Sequence, residues 1–148
     1  MKKTEQLSVT PETPRTPNYT KGNVIAVAES FIRGLQVATN ISTFETQQQL
    51  ILLYLYGRGE VVQNELIDAT GVGKSSVSRN VERLGRGEWL RDPAKPGTKR
   101  HVPGLGLVTS DQDPQNRKTN LVKLTPLGKQ TLDQIATAIA REFDIIAK

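Results

Sequence analysis

The chain has no cysteine and a single histidine in 148 residues. Without cysteine it can form no disulfide, thiolate nucleophile, thiol redox switch or cysteine-type zinc site. His101 stands alone, so a multi-histidine metal site is excluded, and it is expected at the surface. No apolar run approaches the ~20 residues that a membrane-spanning helix needs. Lys2 and Lys3 are followed by no apolar stretch, so no secretory signal is expected. These absences point to a cytoplasmic protein with no membrane partner. No nucleophile, base and oxyanion donor fall into one constellation, so neither an enzyme nor a cofactor is expected. Gly73-Lys74-Ser75 has the ending of a phosphate-binding loop, but Asp68 stands where that pattern needs its first glycine, and a helix precedes it in place of a buried strand. Asp111 and Asp113 lie close together on a proline-flanked stretch and read as turn formers, not as an acid and base pair.

What is present is a basic chain of one domain's length, long enough for a sizeable core. The net charge is +5, and its placement is uneven. Residues 61–125 hold eleven Lys/Arg against seven Asp/Glu, while 24–60 hold two against three and 126–148 hold three against three. A local excess of this kind suits a module that binds phosphates. Residues 1–20, with Pro11, Pro14 and Pro17 among threonines, read as a disordered or extended tail. Residues 21–148 form the folded unit.

Two helices are expected first. Asn23–Thr39 carries Val24, Ile25, Val27, Ala28, Phe31, Ile32 and Leu35 in a wide apolar band, with Asn23 as its N-cap. Ser42-Thr43-Phe44-Glu45 fits a capping box, Ser42 at N-cap and Glu45 at N3. The helix it opens runs to about Tyr56, apolar on most sides, and Gly57-Arg58-Gly59 ends it. Glu60-Val61-Val62 reads as a short extended link.

Residues 63–86 then read as a helix-turn-helix. Gln63–Ala69 is the first helix, Thr70-Gly71-Val72-Gly73 the turn, and Lys74 to about Arg86 the second helix, with Gly87 as its C′ stop. Val77, Val81 and Leu84 make one apolar stripe. The other face carries Lys74, Ser75, Ser76, Ser78, Arg79, Glu82 and Arg83. A helix with an apolar back and a front of hydroxyls and cations suits the DNA major groove, where serine reaches base edges or phosphates and arginine bonds guanine bidentately.

Glu88–Arg91 reads as a strand start, with Trp89 in the core at the base of a wing. Pro93–Gly106 reads as loop, and its Lys95, Lys99, Arg100 and His101 suit added backbone contacts, another binding surface, or nothing beyond a solvated insertion. Leu105–Thr109 and Thr119–Leu124 read as strands around a turn-rich tip at Asp111–Arg117. Two strands at about 105–124 joined by a polar, basic loop make that wing, placed to touch the DNA backbone or minor groove. Thr125 and Pro126 open a last helix running through Ala147, with Leu127, Leu132, Ile135, Ile139, Phe143 and Ile146 at helical spacing. Both terminal helices are expected at a dimer interface. The class is mostly α (α+β): a winged helix-turn-helix with a dimerisation region built from its N- and C-terminal helices.

Three segments together resemble the MarR (multiple antibiotic resistance regulator) family. LILLYLYGRGEVVQNEL looks like the lead into that family's DNA-binding unit, TGVGKSSVSRNVERLGRGEWL like its recognition helix, and DPQNRKTNLVKLTPLGKQTL like its wing tip, return strand and last helix. The likeness spans residues 24–147. It implies a homodimeric regulator, a repressor that occludes a promoter, and a small-molecule effector that no residue here identifies. The family usually carries Asp-x-Arg at the wing tip, its arginine entering the minor groove. Asn116 and Lys118 occupy the aligned positions, with Arg117 between them, so either Arg117 takes the groove role or Lys118 does so less selectively. Gly73 replaces the usual Ser or Thr cap, and 93–106 exceeds the family's usual connection.

The expected function is therefore sequence-specific binding of double-stranded DNA by a homodimer at a pseudo-palindromic site. Arg79, Ser75 and Ser78 are the expected base contacts; Lys74, Arg83, Arg117 and Lys118 the expected phosphate or groove contacts. The alternatives are a phage or plasmid replication or accessory factor, and a winged-helix module that binds another protein.

Overall fold

The computed structural model describes residues 20–41 and 44–143. The element order is α1 (Lys21–Thr39), α2 (Thr46–Arg58), β1 (Val61–Val62), α3 (Glu65–Thr70), α4 (Lys74–Leu84), β2 (Gly87–Arg91), β3 (Lys99–Pro103), β4 (Val108–Gln112), β5 (Asn120–Leu124) and α5 (Pro126–Glu142). The tail before Thr20, Ser42 of the expected capping box, and the end of the last helix beyond Phe143 lie outside the described residues.

Helix starts depart from the sequence reading in two places. Thr20, not Asn23, caps α1: its hydroxyl oxygen accepts from the Asn23 amide at 3.2 Å. Glu45 is the N-cap of α2, not its N3 residue, and its carboxylate makes no capping bond because it is engaged by Arg83 at 2.9 Å. At the other end of α2, Gly59 adopts φ +79, a left-handed conformation that an L side chain resists.

The core gathers where α2, α4, α5 and one sheet meet. Strands β1, β5 and β4 form an antiparallel sheet in that order, with Val61 opposite Val122 and Val108 opposite Leu124. Val61, Val108 and Val122 are buried along with Ile51, Leu52 and Leu55 of α2, Leu66 of α3 and the Val77–Val81–Leu84 stripe of α4. Each such side chain removed from water contributes on the order of 1.5–3 kcal/mol, which holds the back of α4 against the fold and leaves its front outside. Leu35 of α1 and Leu132, Ile135 and Ile139 of α5 extend the core between the terminal helices. Tyr56 donates to Asp133 at 2.6 Å, tying α2 to α5. That bond, with burial and the carboxylate's charge behind it, raises the Tyr56 phenol above its ordinary pKa.

The largest departure lies after α4. The helix ends at Leu84, and Gly85, not Gly87, is its cap; the Gly85 amide donates to Val81 and Glu82. Gly87 instead opens β2 at φ +100. Residues 93–106, expected as loop, contain strand β3, which pairs antiparallel with β2 from Gly87↔Pro103 to Arg91↔Lys99. The strand expected at 105–109 begins only at Val108, because the amides of Leu105, Gly106 and Leu107 donate to Arg83, Gly85 and Leu84. The chain thus leaves the end of α4, runs out and back as a hairpin, and reattaches to the same helix end before the wing begins.

Candidate DNA-binding surface

The helix-turn-helix presents α4 by its polar face. Gly71 at φ +72 makes the turn, and its amide caps α3 by donating to the Ile67 carbonyl at 2.9 Å. Gly73 is the N-cap of α4 and supplies no side-chain cap. Lys74, Ser75, Ser76 and Arg79 are exposed, and Ser78 is half-buried. Lys74, Ser75, Ser78 and Arg79 line one open hollow together with Glu82 and Trp89; Ser76 is exposed on the flank and does not line it.

Arg83 lines the same hollow, but its guanidinium is held by two carboxylates. Its Nε lies 2.9 Å from Glu88 and its Nη1 2.9 Å from Glu45. The Glu88 hydrogen bond, more than either carboxylate's charge, raises its pKa against the opposing effect of burial, so it stays a cation bound to two carboxylates. Arg83 therefore fastens α4 to the start of α2 and to β2. Its place on the polar face gave no sign of this, since Glu45 is remote in sequence and Glu88 reaches back only through the turn at Gly85.

The wing is β4 and β5, with Ser110 opposite Val122 and Gln112 opposite Asn120. Asp113 shapes the tip: its carboxylate accepts from the Gln115 amide at 2.8 Å. Asn116 accepts from the Lys118 amide at 3.2 Å, and the Gln112 side-chain amide donates to the Arg117 carbonyl at 2.6 Å. Arg117 and Lys118 are both exposed on this fixed turn. Arg86, which sequence reasoning had not singled out, braces the wing against α4 by donating to the Ser110 carbonyl at 2.9 Å.

Trp89 is a correction. The sequence reading puts it in the core at the wing base, but it is 66% exposed. Strand alternation explains this: β2 turns Glu88 inward to Arg83, so its neighbour Trp89 faces out. There it meets His101 across the strand pair, ring centroids 5.1 Å apart.

A sequence model of the MarR family matches residues 43–101. The matched segment contains α2, the helix-turn-helix, β2 and the start of β3; the wing and α5 come after it. No curated protein matches the chain by sequence. Among solved structures, it is similar to the PcaV transcriptional regulator from Streptomyces coelicolor, at 21% identity and a TM-score of 0.50, covering 82% of this chain and 77% of that one. It is also similar to reduced AbfR bound to DNA, at 15% identity and a TM-score of 0.51, covering 81% and 76%. NadR in complex with 4-hydroxyphenylacetate matches at 18% identity and a TM-score of 0.50, covering 87% and 82%. At these identities the likeness is one of fold: five helices with small antiparallel sheets in a winged-helix arrangement. Among the described residues no helix is long and apolar enough to cross a membrane, and no three metal-ligating side chains come together.

Proposed function

We propose that this chain is a DNA-binding transcriptional regulator, a repressor that acts as a homodimer on a pseudo-palindromic duplex site. The observation that carries this reading is the pairing of two exposed, rigidly supported cationic elements. The front of α4 offers Lys74, Ser75 and Arg79, and the braced wing tip offers Arg117 and Lys118. Winged-helix geometry sends such a helix into a major groove and the wing along the neighbouring backbone or minor groove. A two-fold dimer then reads half-sites about 10 base pairs apart, one helical turn.

Arg79, Ser75 and Ser78 take the base-reading role, while Lys74, Arg117 and Lys118 position the duplex. Arg83, held by two carboxylates, is left out of the contact set. Genome-wide capture of bound DNA by the purified protein identifies the site and its symmetry. On that site, Arg79→Ala is expected to lose ~1–3 kcal/mol of affinity and to relax sequence preference. Lys118→Ala is expected to weaken binding alike on all sequences and to flatten the salt dependence by about one unit of slope. Equal losses for Arg79→Ala on the captured site and on random duplex contradict this division of roles.

A further inference from the structure

The β2–β3 hairpin ends in a run of exposed cations and carries the chain's only tryptophan on its surface. We infer that this hairpin is a second wing, which grips the phosphate backbone of the same duplex beside the recognition helix. The inference rests on the DNA-binding reading above.

Three observations lead to it. Trp89 borders two hollows at once. One is floored by the α4 residues Ser75, Ser78 and Arg79, and the other reaches the first wing at Ser110 and Asp111. A duplex seated on α4 therefore lies against the Trp89–His101 pair. Next, the outer hairpin carries Arg91, Lys95, Lys99 and Arg100, all exposed, against Asp92 alone, whose carboxylate is occupied by the Ala94 amide at 2.9 Å. This excess of positive charge complements phosphate, since Glu88, the hairpin's other carboxylate, is buried on Arg83. Lastly, the hairpin is fixed at its root. A Cβ on Gly104 would sit 2.2 Å from the Gly85 carbonyl oxygen, and one on Gly87 2.1 Å from that of Val102. Backbones packed this closely hold the hairpin's base against the end of α4.

An isolated two-stranded hairpin is marginal in water, and a cross-strand aromatic pair stabilises one. Trp89 and His101 therefore serve the hairpin's own stability as well, so the test rests on the cations. The full-length Arg91→Ala/Lys95→Ala/Lys99→Ala variant is titrated with a mixed-sequence DNA duplex several helical turns long, over a range of salt, since Arg91 and Lys99 share the face of Trp89 and His101. Every phosphate that the protein ceases to neutralise flattens the slope of log K against log salt by ~0.9. The expected result is a slope reduced by about two to three units for each copy bound, with the sequence preference kept, and Trp89 emission in the wild-type chain that changes on duplex addition. Wild-type slope in the triple variant overturns the inference, and so does silent Trp89 emission at saturation. If those two results come from a protein whose binding still responds to Arg79→Ala and Lys118→Ala, only the second wing falls. A chain that binds no duplex at all overturns both readings.

Discussion

Arg83 shows how a single residue on a recognition helix can serve position in place of contact. Its guanidinium is one-third exposed, Glu88 is 10% exposed and Glu45 is half exposed. The two ion pairs therefore differ in worth. Removing Glu88 leaves a partly buried cation without its better partner, at a cost of ~1–3 kcal/mol. Removing Glu45 breaks a solvated pair worth under ~1 kcal/mol. Denaturant unfolding of Glu88→Ala and Glu45→Ala is expected to give that order, with the Glu88 variant also loosening the hairpin. The reverse order contradicts the positioning role. The sequence hid the partners of Arg83 and misplaced Trp89 for one reason. Each sits at a position whose role depends on a partner brought from elsewhere: Glu45 from the start of α2 for Arg83, and the inward turn of Glu88 for Trp89. By contrast Lys74, Ser75 and Arg79 were legible, because the Val77–Val81–Leu84 period alone decides which side of the helix faces out.

At the scale of elements, the wing and α5 were legible because their signals are local. Thr125 and Pro126 cap α5 as read, the Thr125 hydroxyl accepting from the Gly128 amide at 3.0 Å. Strand β3 was not legible. Lys99-Arg100-His101-Val102 has no apolar alternation, and Pro96, Gly97, Pro103 and Gly104 surround it with turn formers. It becomes a strand through pairing with β2, which periodicity cannot report. The glycines at its root give an element-level prediction. Gly104→Ala and Gly87→Ala place a methyl inside contact distance of backbone, and overpacking of this kind costs ~1–3 kcal/mol or more. Gly73, with φ −72 and nothing within 4 Å of an added Cβ, is the opposite case. Gly73→Ser adds the missing N-cap of α4 and is expected to stabilise by roughly a few tenths of a kcal/mol. Thermal unfolding of the three variants separates the two outcomes, and a destabilised Gly73→Ser contradicts the capping argument.

For the whole molecule, assembly turns on α1. Most of a helix's stability in a protein comes from packing of its apolar face. Yet of its 19 residues only Leu35 is fully buried. Val24, Ile25, Ile32 and Val37 are exposed, Ile25 at 71% and Val37 at 83%. Ile25, Ala28 and Ile32 recur at helical spacing, so the exposure is a stripe and not scatter. Beside it, Gly34 abuts Ile135 of α5, whose exposed side carries Gln134, Thr137, Ala138 and Arg141. In the proposed homodimer a second copy covers this stripe of α1, removing it from water and placing two α4 helices on one duplex. Sedimentation of the wild-type chain is expected to give twice the mass of one chain. Ile25→Glu/Ile32→Glu is expected to give a single-chain mass with its helical circular dichroism kept, because neither residue belongs to the core of its own chain. Losing the partner removes half the phosphate contacts, so the salt slope of duplex binding should fall by about half. A monomeric wild type, or a double variant that still sediments as a dimer, places the partner surface elsewhere.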